Sequence, residues 1–330
     1  MSKRTRPIWA VLLALLFAAA LGSLLFGAAK MGAAELLQAL RQGPDHTGGY
    51  IFWYVRLPRT AACLFSGAAL AVSGAILQSI LGNALASPGI IGVNAGAGLG
   101  VTLCCALGLL SGWAISLAAF GGALAAALLV MLLARLTGAS RTTVILSGVA
   151  INSIFGALRD AVTTLVPDAG VLSGEFRVGG FSSVVHTRLI TAGVLIILAL
   201  LVAFLMSNEL DVLSLGEDTA AALGMNVKVM RLVFLLLSAL LAGAAVSFAG
   251  LLGFVGLLIP NAMRRLVGSG GRQLLPLSAV AGAALVTVCD LAARLVFAPY
   301  ELPVGILLSV IGGPVFLLLL LQKRGGHRDA

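Results

Sequence analysis

The stretch that decides the fold runs from residue 56 to residue 89 and reads RLPRTAACLFSGAALAVSGAILQSILGNALASPG. Two arginines, Arg56 and Arg59, stand at its start, and an apolar run with glycine, alanine and serine at short intervals follows them. The run ends in an uncharged turn that contains Asn83, Leu85 and Pro88. Small residues let membrane helices approach closely, so this stretch predicts a tightly packed membrane helix with a functional end.

The whole chain has the composition of a polytopic membrane protein. Of its 330 residues, 60% are hydrophobic and only 10% are charged, whereas charged residues make up about 25% of a soluble domain. Because a helix needs about 20 apolar residues to cross a bilayer, the length allows about ten crossings and no large soluble domain. We therefore predict an all-α fold with a single transmembrane domain over residues 1–330.

Apolar segments separated by charges, proline or glycine mark the predicted membrane spans. They cover residues 8–28, 60–81, 90–110, 113–134, 143–165, 189–206, 232–249, 252–263, 274–297 and 304–321. The eighth is too short for a full crossing, and it is predicted to be a short or broken helix that protein must shelter. The first resembles a signal peptide, but it exceeds the usual signal core of about 7 to 15 residues, which favours an uncleaved helix.

The distribution of charge predicts the orientation of the chain. With both termini in the cytoplasm, the inner loops carry 13 of the 21 basic residues and 5 of the 12 acidic ones, a net charge of +8 inside and +1 outside. This bias follows the positive-inside rule. We expect the protein in the cytoplasmic (inner) cell membrane, with both termini in the cytoplasm. It also accounts for the pI of 10.1 without a nucleic-acid partner.

Glycines recur at spacings that suit helix packing. The pairs are Gly67 with Gly74, Gly92 with Gly96, Gly96 with Gly100, and Gly305 with Gly312. The sequence GAALAVSG at 67–74 also resembles GAAVSFAG at 243–250. Because these two spans run in opposite directions in the predicted topology, a true repeat would be inverted, as in many transporters. Chance similarity between glycine- and alanine-rich helices is the alternative.

The sequence lacks the motifs of an enzyme. It contains no Gly-x-x-x-x-Gly-Lys-Ser/Thr loop for ATP phosphates, no catalytic triad and no paired carboxylates. The four cysteines lie in apolar runs and the three histidines are scattered, so neither a metal site nor a cofactor is predicted. Any metal that passes through the protein is expected inside a chelate.

The longest polar segment is the predicted cytoplasmic loop at residues 208–230. Ser214 and Glu217 have the spacing of a capping box, and Gly224 suits a helix C-terminal stop. These residues predict a short helix at the membrane surface, amphipathic through Ala221 and Leu223. A capped helix in a long loop more often presents a surface to a partner than serves as a plain connector.

A few charged residues fall inside predicted spans, namely Arg159, Asp160, Asp290 and Arg294. We expect all of them near the outer ends, where they can reach water. Asp290 and Arg294 are four residues apart and are expected to form a helical ion pair. None is then needed as a mid-membrane proton relay, which weakens an ion-coupled mechanism.

Several segments together resemble the FecCD-type permease subunits of ATP-binding cassette (ABC) importers for iron-siderophores, haem and cobalamin. The similarity extends over nearly the whole chain. It is carried by RLPR at 56–59, SGAILQ at 73–78, NALASPG at 83–89, GVNAG at 92–96, LGEDTAAALG at 215–224, GFVGLLIP at 253–260, ELPVG at 301–305 and IGGP at 311–314.

The resemblance implies a type II importer subunit whose partners are a second permease copy, two ATP-binding cassette ATPase subunits, an extracytoplasmic substrate-binding protein and the lipid membrane. On the positions that match, it implies docking of the binding protein at Arg56, Arg59 and Arg294. It implies a cytoplasmic gate at Asn83, Leu85, Thr142 and Thr143, and ATPase coupling at Ser214, Leu215, Gly216, Glu217 and Gly224. The sequence departs from many relatives at Asn261, where they have histidine, and at Arg141, which adds a charge beside the gate.

The predicted function is therefore ATP-driven import of an iron(III)-siderophore or a similar metal chelate, by alternating access at a homodimer interface. The chain itself is not expected to be an enzyme, because ATP hydrolysis belongs to a separate subunit. A haem or cobalamin permease is the nearest alternative. An ion-coupled secondary transporter and a structural membrane scaffold are the others.

Overall fold

A computed structural model describes residues 5–27, 35, 38–39, 41, 43–44, 47–137, 140–182, 186–296, 298 and 300–325. Every regular element within these residues is helical, which confirms the all-α prediction. The helices are α1 (Thr5–Leu25), α2 (Leu57–Leu81), α3 (Val93–Ala106), α4 (Gly112–Leu136), α5 (Arg141–Leu165), α6 (Pro167–Leu172), α7 (Gly174–Val178), α8 (His186–Leu205), α9 (Ser207–Ser214), α10 (Glu217–Ala222), α11 (Val227–Ala249), α12 (Val255–Val267), α13 (Gly271–Val296) and α14 (Val304–Gly325). A helical turn at Thr47–Tyr50 and a π-helical stretch at Ile51–Arg56 lead directly into α2.

Each predicted span coincides with one of these helices. Among the described residues, seven helices are long and apolar enough to cross a membrane: α1, α2, α4, α5, α8, α11 and α13. The third and tenth predicted spans correspond to shorter apolar stretches, in α3 and α14. With a rise of ~1.5 Å per residue, the 14 residues of α3 are too short for the hydrocarbon core of ~30 Å.

Helix α2 lies at the centre of the protein. It packs against α11, α12 and α13, and 83% of its most apolar window is buried. The same share is 72% for α11 and α13 but only 11% for α1 and 17% for α5. The protein therefore has a central group of helices and a set of peripheral ones whose surfaces face the membrane or a partner.

The glycines of α2 account for this central packing. A β-carbon added to Gly67 would overlap the backbone of Gly282 in α13, and one added to Gly74 would overlap the backbone of Gly256 in α12. The hydroxyls of Ser73 and Ser238 are 2.7 Å apart and join α2 to α11. The predicted close packing of helices at these glycines is confirmed.

Helix α12 is the short helix that the eighth span predicted. It has 13 residues with Pro260 inside, and most of its apolar residues are buried against the helices around it. Phe254, just before it, has a φ of 64°, in the left-handed region that is unfavourable for residues other than glycine. A β-carbon on Gly312 would overlap the Phe254 side chain, so α14 packs directly on this break.

The two similar glycine patterns occupy different structural positions. Gly67 and Gly74 lie inside α2, whereas Gly250 lies just beyond the end of α11 and has a φ of 68°. The shared spacing thus does not mark equivalent packing positions. The inverted repeat remains a prediction.

Candidate functional site

A cluster of ionised side chains lies at the N-terminal end of α2. Arg59 Nη2 is 3.0 Å from Asp290 Oδ1 and its Nη1 is 2.7 Å from Glu301 Oε2. Arg294 Nε is 3.0 Å from Asp290 Oδ2. The Asp290 side chain is 1% exposed and that of Glu301 is 36% exposed. One buried carboxylate is therefore shared by two guanidinium groups, while a second acid reaches the surface.

The same arginine cluster holds the end of α1. Arg56 Nη1 donates to the carbonyl oxygens of Leu24 and Leu25 at 2.6 Å each, and Arg294 Nη1 donates to that of Phe26 at 3.2 Å. The last carbonyls of a helix lack partners within the helix, and cations are favourable near them. These two arginines therefore fasten α1 to α2 and α13.

The structure brings together the three predicted docking residues but buries them. Arg56, Arg59 and Arg294 are 4%, 9% and 4% exposed. The expected ion pair of Asp290 and Arg294 is confirmed, but the expectation that these two residues reach water is wrong. Because Arg59 of α2 packs onto Asp290, the pair is enclosed between helices. Docking at the three arginines remains a prediction.

The turn after α2 contains two of the predicted gate residues. Gly82 ends the helix with a φ of 58°, a conformation that favours glycine. The side-chain oxygen of Asn83 accepts a hydrogen bond from the Leu85 amide at 2.9 Å, and Leu85 is 41% exposed. Asn261 of α12 donates to the Ala84 carbonyl at 2.8 Å, so its amide side chain attaches this turn to α12.

The other two predicted gate residues lie at the start of α5, beside the same turn. Ser140 caps the helix by accepting a hydrogen bond from the Thr143 amide at 3.1 Å, and Thr142 is exposed. The Arg141 guanidinium lies over Gly82, where an added β-carbon would come within 2.5 Å of Nη1. Arg141 is therefore the contact between the start of α5 and the turn after α2.

The predicted coupling segment contains the short helix α10, which begins at Glu217. Glu217 Oε1 is 2.8 Å from Nη2 of Arg231 in α11 and 4.0 Å from Nε of Arg141 in α5. The Arg231 side chain is 1% exposed. Nε and Nη2 of Arg141 are buried and have no hydrogen-bond partner among the described residues. Glu217 thus joins α10 firmly to α11 and only loosely to α5.

The predicted capping box is wrong. Ser214 lies in the last turn of α9, and its hydroxyl donates to the Asp211 carbonyl at 2.7 Å. Gly216 instead precedes α10, with a φ of 117° and no side-chain cap. The chain forms a helix up to Ser214, so that hydroxyl is used within α9. Gly224 has a φ of 83° and follows α10, which confirms the predicted stop.

The surface around α10 combines large apolar side chains with the exposed acids Glu217 and Asp218. Leu215 and Leu223, on either side of the helix, are 64% and 65% exposed. Ala221 is exposed as well, while Ala220 is buried. The side chains of Leu215, Ala221 and Leu223 therefore face away from the protein.

One polar anchor was missed from the sequence. Arg264 of α12 donates to the side chain of Gln78, to Ser79 Oγ at 2.8 Å and to the Ala75 carbonyl at 3.1 Å. From the sequence, Arg264 was one of the 13 basic residues assigned to the inner loops. The available signal was Gln78, because a polar side chain buried in an apolar helix requires a hydrogen-bond partner.

Helix α5 carries polar groups on a poorly buried surface. Ser153, Asp160 and Thr164 are exposed, and Arg159 pairs with Asp160 at 2.8 Å. Ionised side chains are unfavourable against lipid and normally face a water-filled cavity or another helix, whereas the hydroxyls of Ser153 and Thr164 donate to carbonyls of their own helix. This face of α5 is therefore suited to line a polar path.

The described residues contain no group of three or more histidine, cysteine, aspartate or glutamate side chains that could hold a metal ion. The polar side chains described above are hydroxyls, amides and ion pairs.

Comparison with known proteins places this architecture in a family. The FecCD transport family matches residues 12–322. The chain is 36% identical over 309 residues to the hemin transport system permease protein HmuU of Yersinia pestis, which covers 91% of this chain and 92% of that protein. It is 39% identical over 323 residues to the iron(3+)-hydroxamate import system permease protein FhuB of Bacillus subtilis strain 168, covering 95% and 83%. A solved structure described as a metal-chelate type ABC transporter in an inward-facing conformation matches with a TM-score of 0.86 and 30% identity, over 96% of this chain and 99% of that one. The chain belongs to the FecCD transport family.

Proposed function

We propose that this chain is the permease subunit of an ATP-driven importer of ferric siderophores or a similar metal chelate. The observation that carries the proposal is a series of contacts from α10 to the turn after α2. Glu217 meets Arg141, and Arg141 lies over Gly82. A permease driven by separate ATPases needs such a connection between its partner surface and its gate. Similarity to permeases named for hemin and iron-hydroxamate transport supports the proposal.

The proposed ATPase contact is the segment around α10. Its predicted residues are Ser214, Leu215, Gly216, Glu217 and Gly224. Leu215 and Leu223 are large apolar side chains exposed next to charged ones, and such patches outside the lipid usually mark a protein interface. Two ATPase subunits would each seat one copy of this segment and would carry out all ATP hydrolysis.

The proposed path lies at an interface with a second copy of the chain. The polar surface of α5 would line it, because Ser153, Asp160 and Thr164 would otherwise face lipid. The gate would consist of Asn83, Leu85, Thr142 and Thr143. Since these four residues lie at one end of the protein, movement of α10 relative to α5 would open and close that end.

The opposite end is the proposed docking surface for a substrate-binding protein. Arg56, Arg59 and Arg294 would attract acidic side chains of that protein. Because Arg59 already pairs with Glu301, docking would involve competition between Glu301 and an acid of the binding protein. In the proposed orientation this end faces the outside and both termini face the cytoplasm, in agreement with the charge bias.

The siderophore class is proposed because of the chemistry of α5. Hydroxyl groups and the Arg159–Asp160 pair offer hydrogen bonds to a polar chelate, whereas haem presents a large apolar ring. Other relatives are named for hemin and for vitamin B12 transport, so these two substrates are the main alternatives to a siderophore.

The test is reconstitution with the cognate ATPase and binding protein in proteoliposomes, with ferric hydroxamate, hemin and cobalamin as separate probes. We expect ATP-dependent uptake of the ferric hydroxamate. Uptake of hemin or cobalamin alone would refute the substrate class and leave the importer intact. Uptake that persists without ATP and collapses with the ion gradient would identify a secondary transporter, and absence of both uptake and substrate-stimulated ATP hydrolysis would indicate a scaffold.

A further inference from the structure

Two adjoining cavities form one groove on an outer face of α4, α8 and α11. The first has a volume of about 490 Å³ and only apolar lining residues: Leu195, Leu198, Ala199, Val202, Val233, Leu236, Leu237 and Leu240. The second, also about 490 Å³, shares Val233 and Leu236 with it and extends to Arg135 and Lys228. We call the two cavities together the α8–α11 groove. It is apolar along most of its length and basic at one end.

The basic end carries two charges that have no counter-ion in the described part of the chain. Arg135 lies in the last turn of α4 and Lys228 near the start of α11, and both are exposed. Neither forms an ion pair with a described acid, and no acidic residue lines either cavity. Arg231, one turn further along α11, is in contrast buried and paired with Glu217. The groove therefore ends in a net positive charge that is open to a ligand.

The length of the groove matches one leaflet of a membrane. With a rise of ~1.5 Å per residue, the stretch of α11 from Lys228 to Leu240 measures about 18 Å. Half of a hydrocarbon core of ~30 Å is about 15 Å. The basic end thus lies at the height of the head groups when the apolar part lies against acyl chains, and it is on the proposed cytoplasmic side, where anionic lipids attract basic residues.

We propose that the α8–α11 groove binds one anionic phospholipid of the cytoplasmic leaflet. Arg135 and Lys228 hold the phosphate, and an acyl chain lies along the leucines and valines of α8 and α11. A helix of a second copy or of another protein would fill the apolar part but would leave the two cations without a partner. The proposal depends on the membrane embedding and orientation of the chain and not on its transport activity.

Native mass spectrometry of the purified full-length protein tests this site, with phosphatidylglycerol and phosphatidylcholine of equal acyl length as probes. We expect the wild type to retain phosphatidylglycerol over phosphatidylcholine. In the double variant R135Q/K228Q, retention of phosphatidylglycerol should fall by roughly tenfold to thirtyfold, because each basic residue near an anionic membrane surface strengthens binding by about fivefold. Leu236→Trp, which fills the junction of the two cavities, should lower retention of both lipids.

The matched control is R265Q/R272Q, which removes the same charge from exposed arginines in α12 and α13 outside the groove. It should retain phosphatidylglycerol like the wild type. Unchanged retention in R135Q/K228Q, equal retention of the two lipids by the wild type, or an equal loss in the control would each overturn the proposal. So would a protein dimer that excludes lipid and dissociates in Leu236→Trp. No ATPase, binding protein or substrate is involved, so the result is independent of the proposed import function.

Discussion

The two ends of α2 are built in opposite ways. At the N-terminal end, Arg59, Asp290 and Arg294 form buried ion pairs at 3.0 Å. Arg56 also holds the last carbonyls of α1, and Arg294 holds that of Phe26 just after it. At the C-terminal end, Arg141 has two buried nitrogens without hydrogen-bond partners among the described residues, and its nearest carboxylate is 4.0 Å away. The charged groups at the N-terminal end are paired with one another, whereas Arg141 at the C-terminal end has hydrogen-bond donors that no described residue accepts.

This difference indicates which end is free to rearrange. A buried charge is costly to separate from its partner, so the N-terminal end resists any movement that opens its ion pairs. The turn at Gly82–Leu85 is held mainly by Asn261 and by contact with Arg141, and segments with few such contacts rearrange at low cost. The predictions below test this contrast, beginning with the largest effect.

The largest effect is expected from Asp290→Asn. The substitution leaves Arg59 and Arg294 in a buried site with Glu301 as the remaining described acid of the cluster, and removing one partner of a buried ion pair typically costs about 3 to 5 kcal/mol. Thermal unfolding of the purified protein in detergent should show a marked loss of stability. The control is Asp160→Asn, whose side chain is 69% exposed and whose loss should cost less than about 1 kcal/mol. Equal stability of both variants would refute the rigid N-terminal end.

A smaller loss is expected from Arg264→Gln at the other end. Arg264 donates hydrogen bonds to Gln78, Ser79 and Ala75, and hydrogen bonds to charged groups are worth about 1.5 to 3 kcal/mol. Its counterpart is Arg141→Gln, which removes a guanidinium with unsatisfied nitrogens and should leave the unfolding temperature nearly unchanged. If both variants lose the same stability, the C-terminal end is held by Arg141 as firmly as by Arg264.

The positions of the helices follow from the sequence, because membrane spans depend on composition and length alone. The same holds for close packing at Gly67 and Gly74, since no other residue type leaves room for a second backbone. The partners of buried polar groups do not follow. Asp290 meets Arg59 across 231 positions of sequence, and no local pattern encodes such a pair.

Local hydrogen bonding also limited the prediction of the coupling segment. Ser214 and Glu217 have the spacing of a capping box, but the hydroxyl of Ser214 is used by α9 instead. A bond within α9 and a cap on α10 would each satisfy the Ser214 hydroxyl. Which of the two forms depends on where α9 ends. Glu217 was predicted as part of the segment, and its role in coupling stays a prediction. Its contacts with Arg231 and Arg141 became visible only in three dimensions.

The third prediction concerns coupling. Glu217→Gln removes the acid shared by Arg231 and Arg141, so movement of α10 should reach the gate less effectively. In the reconstituted complex we expect substrate uptake per ATP hydrolysed to fall by about fivefold or more, the lower end of usual coupling factors. Charge reversal in Glu217→Arg should enlarge the loss. Asp218→Asn is the control, because this neighbouring acid is exposed and forms no ion pair with a described residue. Unchanged coupling in Glu217→Gln would remove the proposed connection.

The smallest effect on stability is expected from Glu301→Gln. This variant also tests docking, because it should change the affinity for the binding protein. Glu301 is 36% exposed, and such ion pairs contribute only about 0 to 1 kcal/mol. If a binding protein competes with Glu301 for Arg59, the variant should bind that protein more tightly. The gain should diminish as salt is added, because exposed charges are screened. Surface plasmon resonance on the permease in nanodiscs measures both, with Asp160→Asn as a control of equal charge. Weaker binding would mean that Glu301 itself contacts the partner, and the N-terminal end would then be a docking surface through its acid and not through its buried arginines.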